Sequence, residues 1–302
     1  MALGKTLIVV VGPTGIGKTA LAISLARHFN TEILSADSRQ FFKEMEIGTA
    51  KPSTEELAAA PHHFINSHNV DTLFSTGDFE VQVIDLLELL FKKHKLLIMV
   101  GGSGLYIDAV CNGLDDLPDT DLKIREMLNL QLATDGLESI KQQLIEYDPE
   151  YYSKIDQSNP QRMIRGLEFF LSTGKKLSLY QTNSKKVRPF NILKIGLNMD
   201  RTELYNRINQ RVDHMMQAGL LEEVKDLQPY RKYNALNTVG YSELFSHLDG
   251  DITLKEAVDQ IKQNTRRFAK RQLTWFRRDD SIAWFEPGQD NTIINYISQK
   301  TN

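Results

Sequence analysis

Residues 6–19 read TLIVVVGPTGIGKT. The first six form a continuous apolar run rich in β-branched residues, the pattern of a strand covered on both faces. Gly12, Gly17, Lys18 and Thr19 then fit the spacing G-x-x-x-x-G-K-[ST] position for position. The whole stretch Gly12, Pro13, Thr14, Gly15, Ile16, Gly17, Lys18 and Thr19 is therefore the candidate diphosphate- or nucleotide-binding loop. The glycines let backbone N–H groups turn inward around an anion, and a helix beginning at Lys18 adds its positive end. Lys18 neutralises phosphate oxygens, and Thr19 is the candidate metal ligand, for Mg²⁺. This combination is strong for polyphosphate binding and silent on reaction type.

Working outward, EILSAD (32–37) is expected as a second strand with Asp37 at its end. Residues 78–93, DFEVQVIDLLELLFKK, carry helical spacing, and KLLIMV (95–100) is a third buried strand running into GGSG. Strands alternating with helices imply right-handed crossovers and a parallel sheet. The fold class is α/β: a P-loop core with a mostly parallel sheet flanked by helices, plus all-helical additions. Ligands gather at the carboxyl ends of such strands, which is where the P-loop, Asp37 and Ser103 fall.

The pattern changes after Gly113, where DDLPDTD (115–121) is rich in turn formers. Residues 121–147 read as two helices broken near Asp135-Gly136. Asn159, Pro160 and Gly174 bracket another helix, and NILKIGL (191–197) returns to strand character. Asp200 with Glu203 starts a helix to about Gln217, and helix is expected from there to about Arg278, with Thr253 and Glu256 capping the last long one. SIAWF (281–285) is a candidate final strand. The expected organisation is 1–115 with 159–200 and 280–302 as the P-loop catalytic core, 116–158 as a helical insertion, and 201–279 as a helical RNA-binding region.

The chain has 302 residues, 41% hydrophobic, enough for one large or two modest cores. Its net charge of -3 advertises no global affinity for nucleic acid, so any such surface is local. Cys111 is the lone cysteine, which excludes an internal disulfide and a cysteine-based zinc cluster. The N-terminal apolar run is too short to span a membrane, and its P-loop belongs to the mature fold. A cytoplasmic monomer without membrane association is expected.

An ATPase would add an acid after an apolar strand to hold Mg²⁺. The third strand instead ends IMVGGSG, without one. Asp37 is the nearest carboxylate and could serve as a general base beside the P-loop. On the residues alone, an ATP-dependent small-molecule kinase and an enzyme that expels a diphosphate stand level.

Several stretches together resemble one family, the tRNA dimethylallyltransferases (tRNA isopentenyltransferases). They are GPTGIGKT (12–19), SADSRQFFKEMEIGTAKP (35–52), APHHFI (60–65), FSTGDF (74–79), VGGSGLYI (100–107), NPQRMIRGLEFFLSTGK (159–175), NRINQRVDHMMQAGLLEEV (206–224), TVGYSEL (238–244) and TRRFAKRQLTWFR (265–277). The resemblance implies transfer of a dimethylallyl group from dimethylallyl diphosphate to N6 of the adenosine 3′ of the anticodon. The P-loop would hold the departing diphosphate. By the same resemblance Asp37 is the base, Ser103 stands near the reacting centre where threonine is usual, and Arg211 clamps the diphosphate, with Arg207 a weaker candidate. Asp37, Ser38, Arg39 and Gln40 would touch the flipped nucleotide and its neighbours, Gln40 reading a base edge. Gln161, Arg162, Met163, Ile164 and Arg165 would form a second tRNA-contacting segment, Arg162 and Arg165 suiting phosphates.

Residues 253–278 hold eight basic side chains against two acidic ones, in a chain that is acidic overall. That run suits the tRNA anticodon stem-loop, and Trp275 and Phe276 within it are expected in the core. Departures from the family pattern are Gly15-Ile16 in the loop, Phe42 for a usual tyrosine, and Gly166 for a usual alanine, the last at a modest cost in helix propensity. Rival readings are the kinase, an enzyme prenylating free adenine nucleotides, and an RNA-binding protein whose P-loop senses nucleotide.

Overall fold

The computed structural model describes residues 4–182 and 184–301. Gly113–Lys186 forms one compact unit and the rest of the described chain another. The larger unit opens with β1 (Thr6–Val11), α1 (Lys18–Phe29), β2 (Ile33–Ser35), α2 (Thr54–Ala59), β3 (His62–His63), α3 (Thr76–Leu90), β4 (Leu96–Val100) and α4 (Gly104–Asn112). The smaller holds α5 (Leu122–Tyr147), α6 (Pro149–Lys154) and α7 (Pro160–Thr173). The chain then returns with β5 (Asn191–Leu197), α8 (Arg201–Gln217), α9 (Leu220–Asp226), α10 (Tyr241–Leu248), α11 (Leu254–Phe276), β6 (Ala283–Phe285) and α12 (Asp290–Thr301).

Among the described residues the six strands form one sheet in the order β3-β2-β4-β1-β5-β6, every pairing parallel. β1 is fully buried and sits between β4 and β5. Leu7, Val9 and Val11 face a core shared with Phe79, Val83 and Leu87 of α3 and Ile107 and Val110 of α4. Ile8 and Val10 face the other side, with Leu21 and Leu25 of α1, Ile208 of α8 and Ile293 and Ile297 of α12. Because the chain leaves β1 toward β2 and β4 on one side and reaches β5 on the other, the strand order reverses at β1. The crevice beyond its carboxyl end is where a doubly wound sheet binds ligands.

Domain boundaries differ from the expected ones. α7 belongs with α5 and not with the P-loop core, because Met163, Ile164 and Leu167 pack on Leu128, Ile140 and Leu144. Residues 201–279 are not a separate region. Leu204 and Ile208 of α8 and Ala269 of α11 are part of the core on one face of the sheet, while Val212, Val224, Leu244 and Ile261 form a helical cluster in the same unit. The expected helical stretch from 217 to 278 is broken into α9, α10 and α11 by glycines at 219 and 240 with positive φ and by short 3₁₀ turns. Other expectations hold closely. Gly136 kinks α5 at φ 77°, the Asn159 side chain caps α7, and Thr253 with Glu256 forms a capping box on α11.

Candidate active site

The P-loop leaves β1 at Gly12, whose φ of +147° and position against β5 require glycine: an added Cβ would stand 2.8 Å from the Leu197 carbonyl oxygen. Gly17, at φ +103°, precedes α1 with no side-chain cap, so the first N–H groups of that helix remain for an anion. Lys18 is half-buried, and its Nζ donates to the Pro13 carbonyl at 2.9 Å. Burial pushes its pKa down to about 8; the carboxylate of Asp37 opposes the shift and the charge of Arg211 adds to it.

Asp37 follows the end of β2. Its Oδ1 accepts from the Arg39 backbone N–H at 3.1 Å, an Asx-type turn that fixes the carboxylate. The neighbouring turn after β4 comes close: a Cβ on Gly101 would lie 2.3 Å from the Ala36 carbonyl oxygen. Across this contact the Ser38 N–H donates to Ser103 Oγ at 3.0 Å, and Ser103 Oγ donates to Ser38 Oγ at 3.2 Å. Ser103 thus holds the loop that carries Asp37. Arg211 reaches from α8 to Thr14 Oγ1 at 3.4 Å. Burial holds its guanidinium below its ordinary pKa, and Asp37 opposes this.

Two compartments meet here. The larger is a cavity of about 400 Å³ whose walls include Leu105, Ile208, Val212, Met215, Val239, Ile261, Phe268 and Trp275. The smaller, about 80 Å³, is lined by Lys18, Thr19, Ser35, Gln40 and His62. Thr14, Asp37, Arg211, Phe268 and Gln272 line both. A polar, cationic cup therefore opens into an apolar chamber, with a carboxylate and a guanidinium at the junction.

Several sequence-predicted residues have partners of their own within the fold. Gln40 is buried, and its amide nitrogen donates to the carbonyls of Thr49 and Ala50 at 3.3 and 3.2 Å. Its donors are committed to the loop's own backbone and not offered to a base edge. The Arg39 guanidinium donates to the Asn234 and Asn237 carbonyls. Met163 and Ile164 are fully buried in the core of the smaller unit, so their side chains present nothing to RNA. Arg165 is held by Thr120 and Glu168, whereas Gln161 and Arg162 are exposed. Arg207 pairs with Glu203 at 2.8 Å on the surface. On α11, Lys262 pairs with Asp213 and Arg266 donates to Asn209, while Arg267, Lys270 and Arg271, and Arg277 and Arg278 just beyond the helix, remain exposed. Phe276 is core, as expected, but Trp275 also lines the chamber while its Nε1–H donates to Asp108 at 2.9 Å.

Sequence reasoning missed three residues. Gln272 on α11 is buried; its Oε1 accepts from the Thr14 N–H at 2.8 Å, and its Nε2 donates to the Gly102 carbonyl at 2.9 Å. One side chain thereby ties the P-loop to the turn after β4. Glu223 accepts from the N–H groups of Glu46, Ile47 and Gly48 and from the Tyr241 hydroxyl, the last at 2.6 Å. It anchors the far end of the loop that begins at Asp37. His62 lines the small compartment. The motifs containing these residues were visible, but the bonds of Gln272 and Glu223 span too much sequence for spacing to reveal.

The family model described as "IPPT: IPP transferase" matches residues 40–279. A tRNA dimethylallyltransferase of Christiangramia forsetii is 54% identical over 297 residues, 98% of each chain. One from Flavobacterium johnsoniae is 50% identical over 97% of each. Among solved structures, a tRNA isopentenylpyrophosphate transferase from Bacillus halodurans is 36% identical with a TM-score of 0.72, covering 98% of this chain and 97% of that one. A eukaryotic dimethylallyltransferase acting on tRNA is 28% identical with a TM-score of 0.77, over 93% of this chain and 74% of that one. With its P-loop, its Asp37 loop and its GGSG turn joined at one sheet edge and a family match over most of its length, this chain belongs to the IPP transferases, the family of the tRNA dimethylallyltransferases.

Proposed function

We propose that this protein transfers a dimethylallyl group from dimethylallyl diphosphate to N6 of the adenosine 3′ of the anticodon in tRNA. The observation that carries the reading is the junction itself: Asp37 and Arg211 line both the cationic cup and the apolar chamber. A kinase needs the cup but has no use for a hydrocarbon chamber beside its base.

In the reaction the bond between the allylic carbon and the diphosphate oxygen breaks, and a bond from N6 to that carbon forms. Negative charge grows on the leaving diphosphate, and the P-loop N–H groups, Lys18 and Arg211 would stabilise it there. The exocyclic amine is a weak nucleophile because its lone pair is delocalised into the ring. Asp37, with Oδ1 fixed by the Arg39 N–H, accepts the amine proton as the new bond forms. Ser103 keeps that loop in place. The apolar walls hold the dimethylallyl chain and exclude water that would otherwise capture the allylic carbon.

Among the described residues no cluster of three or more histidine, cysteine, aspartate or glutamate side chains could hold a metal. This suits Mg²⁺ arriving with the donor, since that ion takes few protein ligands and completes its shell with phosphate oxygens and water. Thr19 would hold it, with Asp37 lining the same compartment; bound there, it would withdraw charge from the leaving group. The exposed basic face of α11 supplies the electrostatic seat for the anticodon stem-loop. Among the described residues no helix is long and apolar enough to cross a membrane, and a cytoplasmic monomer is the proposed form. The test is incubation with unmodified tRNA, Mg²⁺ and dimethylallyl diphosphate, read by nucleoside mass spectrometry. One prenyl group added to an adenosine supports the reading; phosphoryl transfer from labelled ATP instead would replace it with the kinase.

A further inference from the structure

Among the described residues, one buried side-chain nitrogen or oxygen lacks a hydrogen-bond partner: Nε2 of His62. Buried polar atoms are nearly always satisfied, and an orphan costs about 1–3 kcal/mol. This one belongs to a residue lining the small compartment, with Lys18, Thr19 and Asp37. His62 opens β3, the edge strand, opposite Ile33 of β2, and shares the lining of the small compartment with Asp37.

The tautomer follows from the other ring nitrogen. Nδ1 lies 2.7 Å from the Ala60 carbonyl oxygen, which can only accept, so Nδ1 carries the hydrogen. Nε2 of the neutral ring is then a bare acceptor. Burial lowers the His62 pKa, which keeps the ring neutral. An acceptor beside a site for an anion is paradoxical unless the anion brings a hydrogen-bond donor with it. A diphosphate has two ways to do so: a water on its accompanying Mg²⁺, or a protonated phosphate oxygen. Both offer an O–H group.

We propose that His62 is a further donor-positioning residue, whose Nε2 accepts a hydrogen bond from an O–H group of the bound diphosphate–metal assembly. It completes the cup on the side opposite in chemistry to Lys18 and Arg211: those two fix charge, and His62 fixes orientation. Ligand-borne waters and their acceptors act in this way on metal assemblies generally. The proposal rests on the P-loop holding the diphosphate.

The experiment is calorimetric binding of inorganic pyrophosphate to the full chain, with Mg²⁺ and separately with chelator. His62→Asn places an amide near the position of Nδ1, keeping the bond to Ala60 and deleting the Nε2 acceptor. His62→Gln reaches to the Nε2 position and keeps an acceptor there. Affinity in Mg²⁺ is expected to fall on the order of tenfold for the Asn variant and to be largely restored in the Gln variant. A loss confined to the Mg²⁺ arm identifies the metal-bound water as the source; an equal loss in both arms identifies the protonated phosphate. Thermal melting of the free variants runs alongside: deleting an unpaired acceptor leaves the Asn variant at least as stable as the wild type. Unchanged affinity of the Asn variant in both arms overturns the proposal. Lys18→Ala serves as the control: if it binds pyrophosphate as the wild type does, the P-loop reading itself has failed, whatever His62 does.

Discussion

Replacing Gln272 by leucine severs the tie between the P-loop and the turn after β4. The side chain makes two bonds, at 2.8 Å to the Thr14 N–H and 2.9 Å to the Gly102 carbonyl. It is 6% exposed, and its bond to Gly102 is buried, so that carbonyl gains no ready access to water when the amide is removed. Each buried group left unpaired costs about 1–3 kcal/mol, and burying the extra apolar carbon returns about 1 kcal/mol. The net loss is roughly 1–5 kcal/mol of folding stability. Urea unfolding measures it as a lower midpoint at unchanged slope. Function should suffer beyond stability, because Thr14 lines both compartments and Gly102 precedes Ser103. Under fully folded conditions, pyrophosphate affinity is expected to drop about tenfold, the worth of one displaced charge-assisted contact. Gln272→Glu keeps an acceptor for Thr14, gives Gly102 nothing, and places a negative charge beside the anion cup, so it should bind pyrophosphate more weakly than the leucine variant. A leucine variant with wild-type midpoint and wild-type affinity would refute the assignment of Gln272 as the tie.

Other outcomes follow from the same geometry. Asp37→Ala should bind tRNA almost normally yet lose turnover, seen by filter binding against single-turnover prenylation. Lys18 has a folded pKa of about 8 against an ordinary 10.5. Between those values the unfolded chain binds more protons, so its contribution makes stability rise with pH across that window, a slope that Lys18→Met should remove. Donor binding runs the other way: above pH 8 the free enzyme loses the ammonium, and pyrophosphate affinity should weaken by up to roughly tenfold per unit in a calorimetric pH series. Gly166→Ala gains helix propensity but sets a Cβ 2.6 Å from the Tyr151 ring and 2.9 Å from Leu144. The clash should win, lowering stability by about 1–2 kcal/mol in a melt of the full protein. Glu223→Ala strips three backbone N–H groups and the Tyr241 hydroxyl of their acceptor. A loss of roughly 3 kcal/mol is expected, with faster amide exchange at residues 46–48.

What could be read from sequence was local or periodic. β1 and α1 were legible because a six-residue apolar run and a phosphate-loop spacing leave little alternative. The cap at Asn159 and the capping box at Thr253 are also short-range. Asp37 was legible as a candidate because strand ends are where such sheets work. Gln272 was not, since its bond to Thr14 spans 258 positions. Gln40 looked like a reader of bases because a polar side chain in a functional motif says nothing about which backbone carbonyls it will meet. α12 escaped because its buried stripe is only Ile293 and Ile297 in an otherwise polar segment. Gly166 looked like a small penalty; in the fold it is the space that the Tyr151 ring needs.

The position of β1 sets a timetable for synthesis. Its neighbours are residues 96–100 on one edge and 191–197 on the other, and Gly12 nestles against the Leu197 carbonyl. In a nascent chain β1 therefore emerges before either neighbour and must wait for residues 191–197 before it has both companions. Gly113–Lys186, contiguous and with its own core, can mature meanwhile. Pairings so distant in sequence are slow to form and leave sticky edges uncovered. The catalytic cup is thus among the last parts of this protein to exist, and no translation product that stops short of Leu197 can own one.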